Sequence, residues 1–352
     1  MAVCRALQER GVTPVLVYAE IRDKPRQMFE RAGIPVEVVN YRRGIFQYFR
    51  KMRRIFRKYR IDTVDIEFFR YFDLIHWLAR FSGIRNIVFT ESNSGMLRAR
   101  SWRKALVRLR AALTVAPVRR LVAISEFVQR QMLELGMDRR KITVVHKGVD
   151  TARFRPDNGA RQRLAGQYGI RADEFVIGTV CVLRPFKHVE VLLEACGLLA
   201  GRKLPFRLFI GGDGPLKRDL MTLSEKLGIA DRVCWLGHLA NPEEAMRGWD
   251  VFVLPSVGEA FGFVLTETMA CGVPAIASRS GGIPEIVEHG RTGLLVPPMD
   301  PAAFADALGS LAGSPALRRE MAVRCVERVG SSFSVETAVA RTLAVYDSLW
   351  QL

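Results

Sequence analysis

The sequence predicts an α/β protein of two doubly wound domains, each a parallel sheet covered by helices on both faces. Three observations carry this reading. The chain has 352 residues, strand and helix patterns alternate from Phe175 onward, and the charge balance changes near residue 155. That length suits two domains of ordinary size. Alternation of strand and helix implies crossover connections, which lay successive strands parallel. The domains so read span 1–155 and 156–333, with a final segment over 334–352.

The chain opens in a helical pattern over 1–7, then Arg10-Gly11-Val12-Thr13-Pro14 and a strand at 15–18. Apolar runs place further strands at 36–39, 87–89, 121–124 and 142–145, separated by long basic helices. In the helix over 42–60, Ile45, Phe49, Met52, Phe56 and Tyr59 recur at three- and four-residue steps. Arg43, Arg50, Lys51, Arg53, Arg54, Arg57, Lys58 and Arg60 surround that stripe. Trp102, Leu106, Leu109 and Leu113 repeat the pattern among Arg98, Arg100, Arg103, Lys104, Arg108 and Arg110. Both stripes are expected to dock on the sheet, leaving a basic outer face. Beyond 155, strands fall at 175–183, 206–211, 233–236, 251–254, 275–277 and 294–296. Helices occupy 189–199, 215–227, 243–248, 264–270, 301–312 and 315–328, and an amphipathic helix closes the chain over 334–350.

Residues 258–299 are the most informative. Glu259 and Glu267 stand with seven residues between them, around Phe261-Gly262-Phe263, and Gly281-Gly282-Ile283-Pro284-Glu285 follows. A buried strand, a glycine turn and a helix start set free backbone N–H groups and a positive dipole end beside two acids. The amides favour an anion and the carboxylates can orient hydroxyls. A nucleotide sugar has both parts. The Glu-x7-Glu spacing, Met269-Ala270-Cys271-Gly272-Val273-Pro274, the Gly-Gly-Ile-Pro-Glu loop and Thr292-Gly293-Leu294-Leu295-Val296 come in the order of a known signature. The block closely resembles the donor site of glycosyltransferase family 4, retaining enzymes with a GT-B fold of two Rossmann-like domains facing across a cleft.

The resemblance implies roles for particular residues. Glu267 would hold the ribose, Glu259 would contact the transferred hexose, and Phe261, Gly262, Phe263 and Val264 would line the donor. A departing nucleoside diphosphate gains negative charge that a metal or fixed cations must stabilise. No Asp-x-Asp motif occurs, so the expectation is a metal-free site in which Arg184 and Lys187 form the cationic clamp. Gly212, in Gly211-Gly212-Asp213-Gly214, reads as a tight turn near the base, and His238 as bordering the base or as an ordinary loop histidine. Gly148–Pro156 resembles the family's interdomain linker, and its final helix commonly crosses back to the first domain.

Three departures bear on activity. Relatives usually have a strand and a glycine-rich loop before the first helix, and this sequence opens in the helix. Ser92, in Thr90-Glu91-Ser92-Asn93, stands where many relatives have a histidine, leaving Glu91 or Asn93 as substitutes. His146-Lys147-Gly148 replaces a more usual Asn/Pro-x-Gly, and Ser125 matches the family's strand-end serine.

Net charge is +17, unevenly placed: residues 1–156 hold 33 Lys/Arg against 14 Asp/Glu, and the remainder 20 against 22. Such asymmetry implies a partner with a negative surface. Six scattered cysteines without metal spacing imply reduced thiols, and no signal peptide or 18-residue apolar run occurs. A protein peripheral on the cytoplasmic face of an anionic membrane is expected. Its acceptor would be a membrane-borne glycan or lipid-linked saccharide, with the nucleotide sugar as a substrate and no resident cofactor. Alternatives are a catalytically impaired GT-B protein that grips anionic glycan or membrane, and a nucleic-acid binder, for which no motif is visible.

Overall fold

The computed structural model describes residues 1–39, 44–67, 74–93 and 101–350. It divides into two units, Met1–His146 with Glu336–Leu352, and Lys147–Val335. The first unit contains α1 (Ala2–Glu9), β1 (Leu16–Tyr18), α2 (Asp23–Arg31), β2 (Val36–Val38), α3 (Ile45–Lys58) and β3 (Thr63–Glu67). It continues with α4 (Ile75–Phe81), β4 (Asn86–Glu91), α5 (Ser101–Val115), β5 (Arg120–Ala123), α6 (Glu126–Glu134) and β6 (Ile142–Val144). Strands β3-β4-β5-β6 form a parallel sheet in chain order, and β1 pairs with β2 beside each other, also parallel.

The α3 stripe behaves as its periodicity requires. Met52, Ile55 and Phe56 are buried, while Arg50, Lys51, Arg53, Arg54, Arg57 and Lys58 are exposed. The α5 stripe does not. Leu106, Leu109 and Leu113 are 46%, 57% and 56% exposed, and the helix packs instead through Ala111, Thr114 and Val115. Small and β-branched side chains let α5 approach closely, so the long leucines turn outward. Arg42, Arg43, Arg98 and Arg100 lie outside the described residues, as do the side chains of Ile45, Trp102, Arg103 and Lys104.

The second unit contains α7 (Ala160–Tyr168), β7 (Phe175–Val180), α8 (Val189–Gly201), β8 (Phe206–Gly211), α9 (Lys217–Lys226), β9 (Val233–Gly237), α10 (Pro242–Met246) and β10 (Val251–Leu254). After these come α11 (Phe263–Ala270), β11 (Ala275–Ser278), α12 (Ile283–Ile286), β12 (Gly293–Val296), α13 (Pro301–Ala312) and α14 (Pro315–Ser332). The sheet order is β12-β11-β10-β7-β8-β9, every described pair parallel. Its central strands are buried on both faces, which is why they read as continuous apolar runs. Strand β7 is shorter than its apolar run because Cys181 and Leu183 donate to Gly211 and Asp213 and turn the chain into a loop.

The chain enters and leaves this unit at one place. Val149 N–H donates to the Phe333 carbonyl at 2.8 Å and Val335 N–H to that of Val149 at 3.0 Å. A Cβ on Gly148 would stand 2.5 Å from the Ser334 carbonyl oxygen, so only glycine fits there. The last helix, α15 (Val335–Trp350), belongs from Glu336 onward to the first unit. Leu343, Val345, Tyr346 and Leu349 pack with Leu7, Val88, Val122 and Val145, each burial worth about 1.5–3 kcal/mol. The Tyr346 hydroxyl donates to Asp65 at 2.6 Å.

Candidate functional site

In the second sheet, β7, β8 and β9 wind one way from the centre, and β10, β11 and β12 wind the other. The reversal lies between β7 and β10. In doubly wound sheets a crevice opens at that switch point, outside the carboxyl ends of the strands, and ligands bind there. The loop after β7 carries Arg184 and Lys187, and the loop after β10 carries Glu259. The structure joins two of these: Lys187 Nζ is ion-paired with Glu259 Oε1. The side chains are 16% and 14% exposed, so the pair is largely removed from water. Burying charges is costly unless each keeps a partner. A ligand displacing one partner must therefore supply an equivalent charge. Arg184 is exposed and forms no ion pair with a described residue.

Two glycine clusters hold these loops. Gly212 has φ +113°, and a Cβ there would stand 1.8 Å from the Cys181 carbonyl oxygen. A Cβ on Gly214 would meet the Leu183 carbonyl oxygen at 2.5 Å. Gly212 thus sets the path of the loop that presents Lys187. Gly281 has φ +64° and a Cβ there would lie 2.3 Å from the Glu259 carbonyl oxygen, while Gly282 N–H donates to that carbonyl at 2.8 Å. Gly258 N–H donates to Ser280 Oγ at 3.1 Å. The Gly-Gly-Ile-Pro-Glu loop is the backing against which Glu259 is held.

Helix α11 starts after Gly262, whose φ of +107° only glycine adopts without strain. The Phe261 ring is buried and packs on Phe333 and Phe263, with centroids 5.9 and 5.4 Å away. The ring anchors the turn. Phe263 is half-exposed and Val264 partly so. First-turn amides of a helix have no intrahelical acceptor, so those of Phe263 and Val264 are available to an anion.

Glu267 lies further along α11. Burial pushes its carboxyl up to about 7, against Arg153, which lowers it, and with Glu243, which raises it further. Arg153 grips Glu243 with two bonds of 2.9 and 2.8 Å, and Arg247 Nε donates to the Arg155 carbonyl at 2.9 Å. Sequence reasoning missed Arg153 and Glu243, which are 90 positions apart. The available signal was an arginine in the linker and an acid in the first turn of α10. His238 is exposed just beyond β9. In the first unit, Glu91 is buried and accepts from Asn93 N–H at 2.8 Å, and Ser125 caps α6 by accepting from Val128 N–H at 3.1 Å. Among the described residues no three His, Cys, Asp or Glu side chains group as metal ligands, and no helix is long and apolar enough to cross a membrane.

Comparison with known proteins places these features in a family. Residues 160–327 match the model of glycosyl transferases group 1, and residues 1–153 that of glycosyltransferase family 4. D-inositol 3-phosphate glycosyltransferase of Streptomyces avermitilis is 32% identical over 79% of this chain and 61% of its own length. N-acetyl-alpha-D-glucosaminyl L-malate synthase of Bacillus anthracis is 33% identical over 64% of this chain and 58% of its own. The chain thus spans about three-fifths of the length of these curated relatives. A glycosyltransferase structure from Rickettsia africae ESF-5 superposes with a TM-score of 0.86, 19% identity, and coverage of 99% of this chain and 93% of that one. Anabaena HepE in complex with UDP-glucose gives 0.82, 21%, 100% and 94%. At these identities the likeness shows the fold, that of GT-B proteins with two Rossmann-like domains.

Proposed function

Because the chain belongs to the family 4, group 1 glycosyltransferases, we propose that it moves a hexose-type sugar from a nucleoside-diphosphate donor to a membrane-borne glycan or lipid-linked acceptor, with retention. The observation that carries this reading is the Lys187–Glu259 pair at the switch point, with Glu267 behind it on α11. The donor diphosphate takes Lys187 from Glu259, and the α11 amides and Arg184 complete the anion site. As the sugar–phosphate bond breaks, Lys187 stabilises the charge that develops on the leaving oxygen. Glu259, released, accepts hydrogen bonds from hexose hydroxyls, and ionised Glu267 accepts them from the ribose. His238, beyond β9, lies toward the base. The family's same-face mechanism, in which the leaving phosphate takes the acceptor's proton, needs no carboxylate nucleophile. No divalent metal is required on this reading.

The acceptor side is proposed from the first unit. The exposed bases of α3 suit the anionic cytoplasmic face of a membrane, and the outward leucines of α5 are a second, apolar candidate contact. HepE crystallised with UDP-glucose makes UDP-sugars the first donors to try. Thermal shift against UDP-, GDP- and ADP-sugars, followed by a transfer assay on lipid-linked and soluble glycans, tests the proposal. One nucleotide class should raise the melting temperature and support turnover with an α-linked product from an α-linked donor. Stabilisation without turnover would favour the catalytically impaired binding protein. Indifference to every nucleotide sugar would refute both the donor site and the transferase reading.

A further inference from the structure

At the amino ends of the first unit's strands, opposite the pole where doubly wound domains bind their ligands, lies an open surface concavity of about 820 Å³. Asp62 enters it from just before β3, Asn86 from the first residue of β4, and Arg119 from just before β5. Arg80, in the last turn of α4, and Arg85 complete the cationic side, and Trp350 of α15 forms a wall. None of the roles proposed above uses these residues.

Part of the arrangement is held in place, Trp350 and Arg119 by hydrogen bonds, while Asp62, Arg80 and Arg85 are exposed at its rim. The Trp350 indole N–H donates to Thr63 Oγ1 at 2.9 Å, and its ring lies 5.9 Å from that of Tyr346. Trp350 is nonetheless 37% exposed, so part of its apolar surface stays open at the concavity. Arg119 Nη1 donates to Asn86 Oδ1 at 2.9 Å, a neutral partner that positions the guanidinium without cancelling its charge. Arg80, Arg85 and Arg119 form no ion pair with any described residue. Among the described residues three guanidiniums therefore share one concavity with one carboxylate, an arrangement that favours an anion.

Charge alone would suit any anion, but the other members narrow the chemistry. A flat aromatic wall packs against the C–H face of a pyranose ring. Asp62 accepts from sugar hydroxyls, and the Asn86 amide nitrogen, left over from its bond to Arg119, donates to them. A few polar groups on an apolar wall is the usual make-up of a small-ligand site. We propose that this concavity is a binding site for an acidic sugar residue, carrying a phosphate or a carboxylate, separate from the donor site of the second unit. It holds a charged unit of a saccharide at a distance from the chemistry within its own domain.

The test is titration calorimetry on the full chain, with excess UDP present throughout to fill the nucleotide site. The probes are glucose 1-phosphate, glucuronate, glucose and inorganic phosphate. One or both acidic sugars should bind at one site, identifying phosphate or carboxylate as the charge recognised, and glucose and inorganic phosphate should bind at least about tenfold more weakly. An Arg80→Gln/Arg85→Gln variant should lose about tenfold in affinity, and Trp350→Leu should lose the preference for sugar over inorganic phosphate. Arg22→Gln/Lys24→Gln at the start of α2, exposed bases given no role above, should change nothing. The proposal fails if neither acidic sugar binds, if inorganic phosphate binds as well as they do, or if the α2 variant weakens binding as much as the Arg80/Arg85 variant. UDP binding is read first, by titrating UDP into the protein alone, so failure of the donor site would appear separately.

Discussion

Replacing Glu267 with Gln should make the protein more stable at alkaline pH while removing donor binding. Burial holds this carboxyl at about 7 in the folded state, against an ordinary value of 4.5. Between those values the folded protein keeps a proton that the unfolded chain has released. Stability from this group is therefore full below about 4.5, falls as pH rises, and is lost above about 7. At about 1.4 kcal/mol for each pH unit, the ionised carboxylate costs the fold about 3 kcal/mol at about pH 8. Gln keeps the shape and cannot ionise. The variant should match the parent near pH 4 and exceed it by up to about 3 kcal/mol near pH 8, measured by urea unfolding of each across that range. In the parent, donor affinity should rise with pH up to about 7 and then level, losing about tenfold per unit below, since hydroxyls donate to the ionised form. A variant no more stable than the parent near pH 8, or equally stabilised at both ends, would refute the argument.

Other expectations can be checked with the same protein. Lys187→Ala should cost about 3 kcal/mol of transition-state stabilisation, about a hundredfold in kcat/KM; an unchanged rate in a folded variant removes Lys187 from the site. Transfer should survive EDTA, and activity that EDTA abolished and Mg²⁺ or Mn²⁺ restored would overturn the cationic clamp. Replacing Arg50, Arg53, Arg54 and Arg57 with Ser should weaken binding to anionic vesicles about a thousandfold, at about 1 kcal/mol per base. These four suit the test because Lys51 and Lys58 are engaged with the Val38 carbonyl and Glu37. Binding that persists in about 1 M salt, where screening reaches to about 3 Å, would instead assign the attachment to Leu106, Leu109 and Leu113.

Much of the second unit was legible because its strands are buried on both faces and its turns require glycine. Gly212 and Gly281 mark places where backbone meets backbone, Gly262 a turn with a left-handed φ, and a sequence shows such places directly. The first unit was harder. Thr63-Val64-Asp65-Ile66-Glu67 did not read as a strand because its acids interrupt the pattern, yet Asp65 accepts from Thr90 and Tyr346. Those partners lie 25 and 281 positions away, beyond any local window. The α5 leucines misled for a related reason: helical period says which residues share a face, not which face is turned inward. At the site, ordered motifs gave Glu259, Glu267 and Lys187, but the pairing of Arg153 with Glu243 depends on the path of the linker.

The side-by-side crossings at Val149 and Val335 make the second unit one continuous stretch, while the first is interrupted and closed only by α15. During synthesis the unit encoded second thus has all its residues first. The unit encoded first waits with Val88, Val122 and Val145 uncovered until α15 leaves the ribosome. Exposed apolar surface of that kind invites aggregation or a chaperone. A stop codon just after Val335 would spare the donor half and ruin the half made earliest.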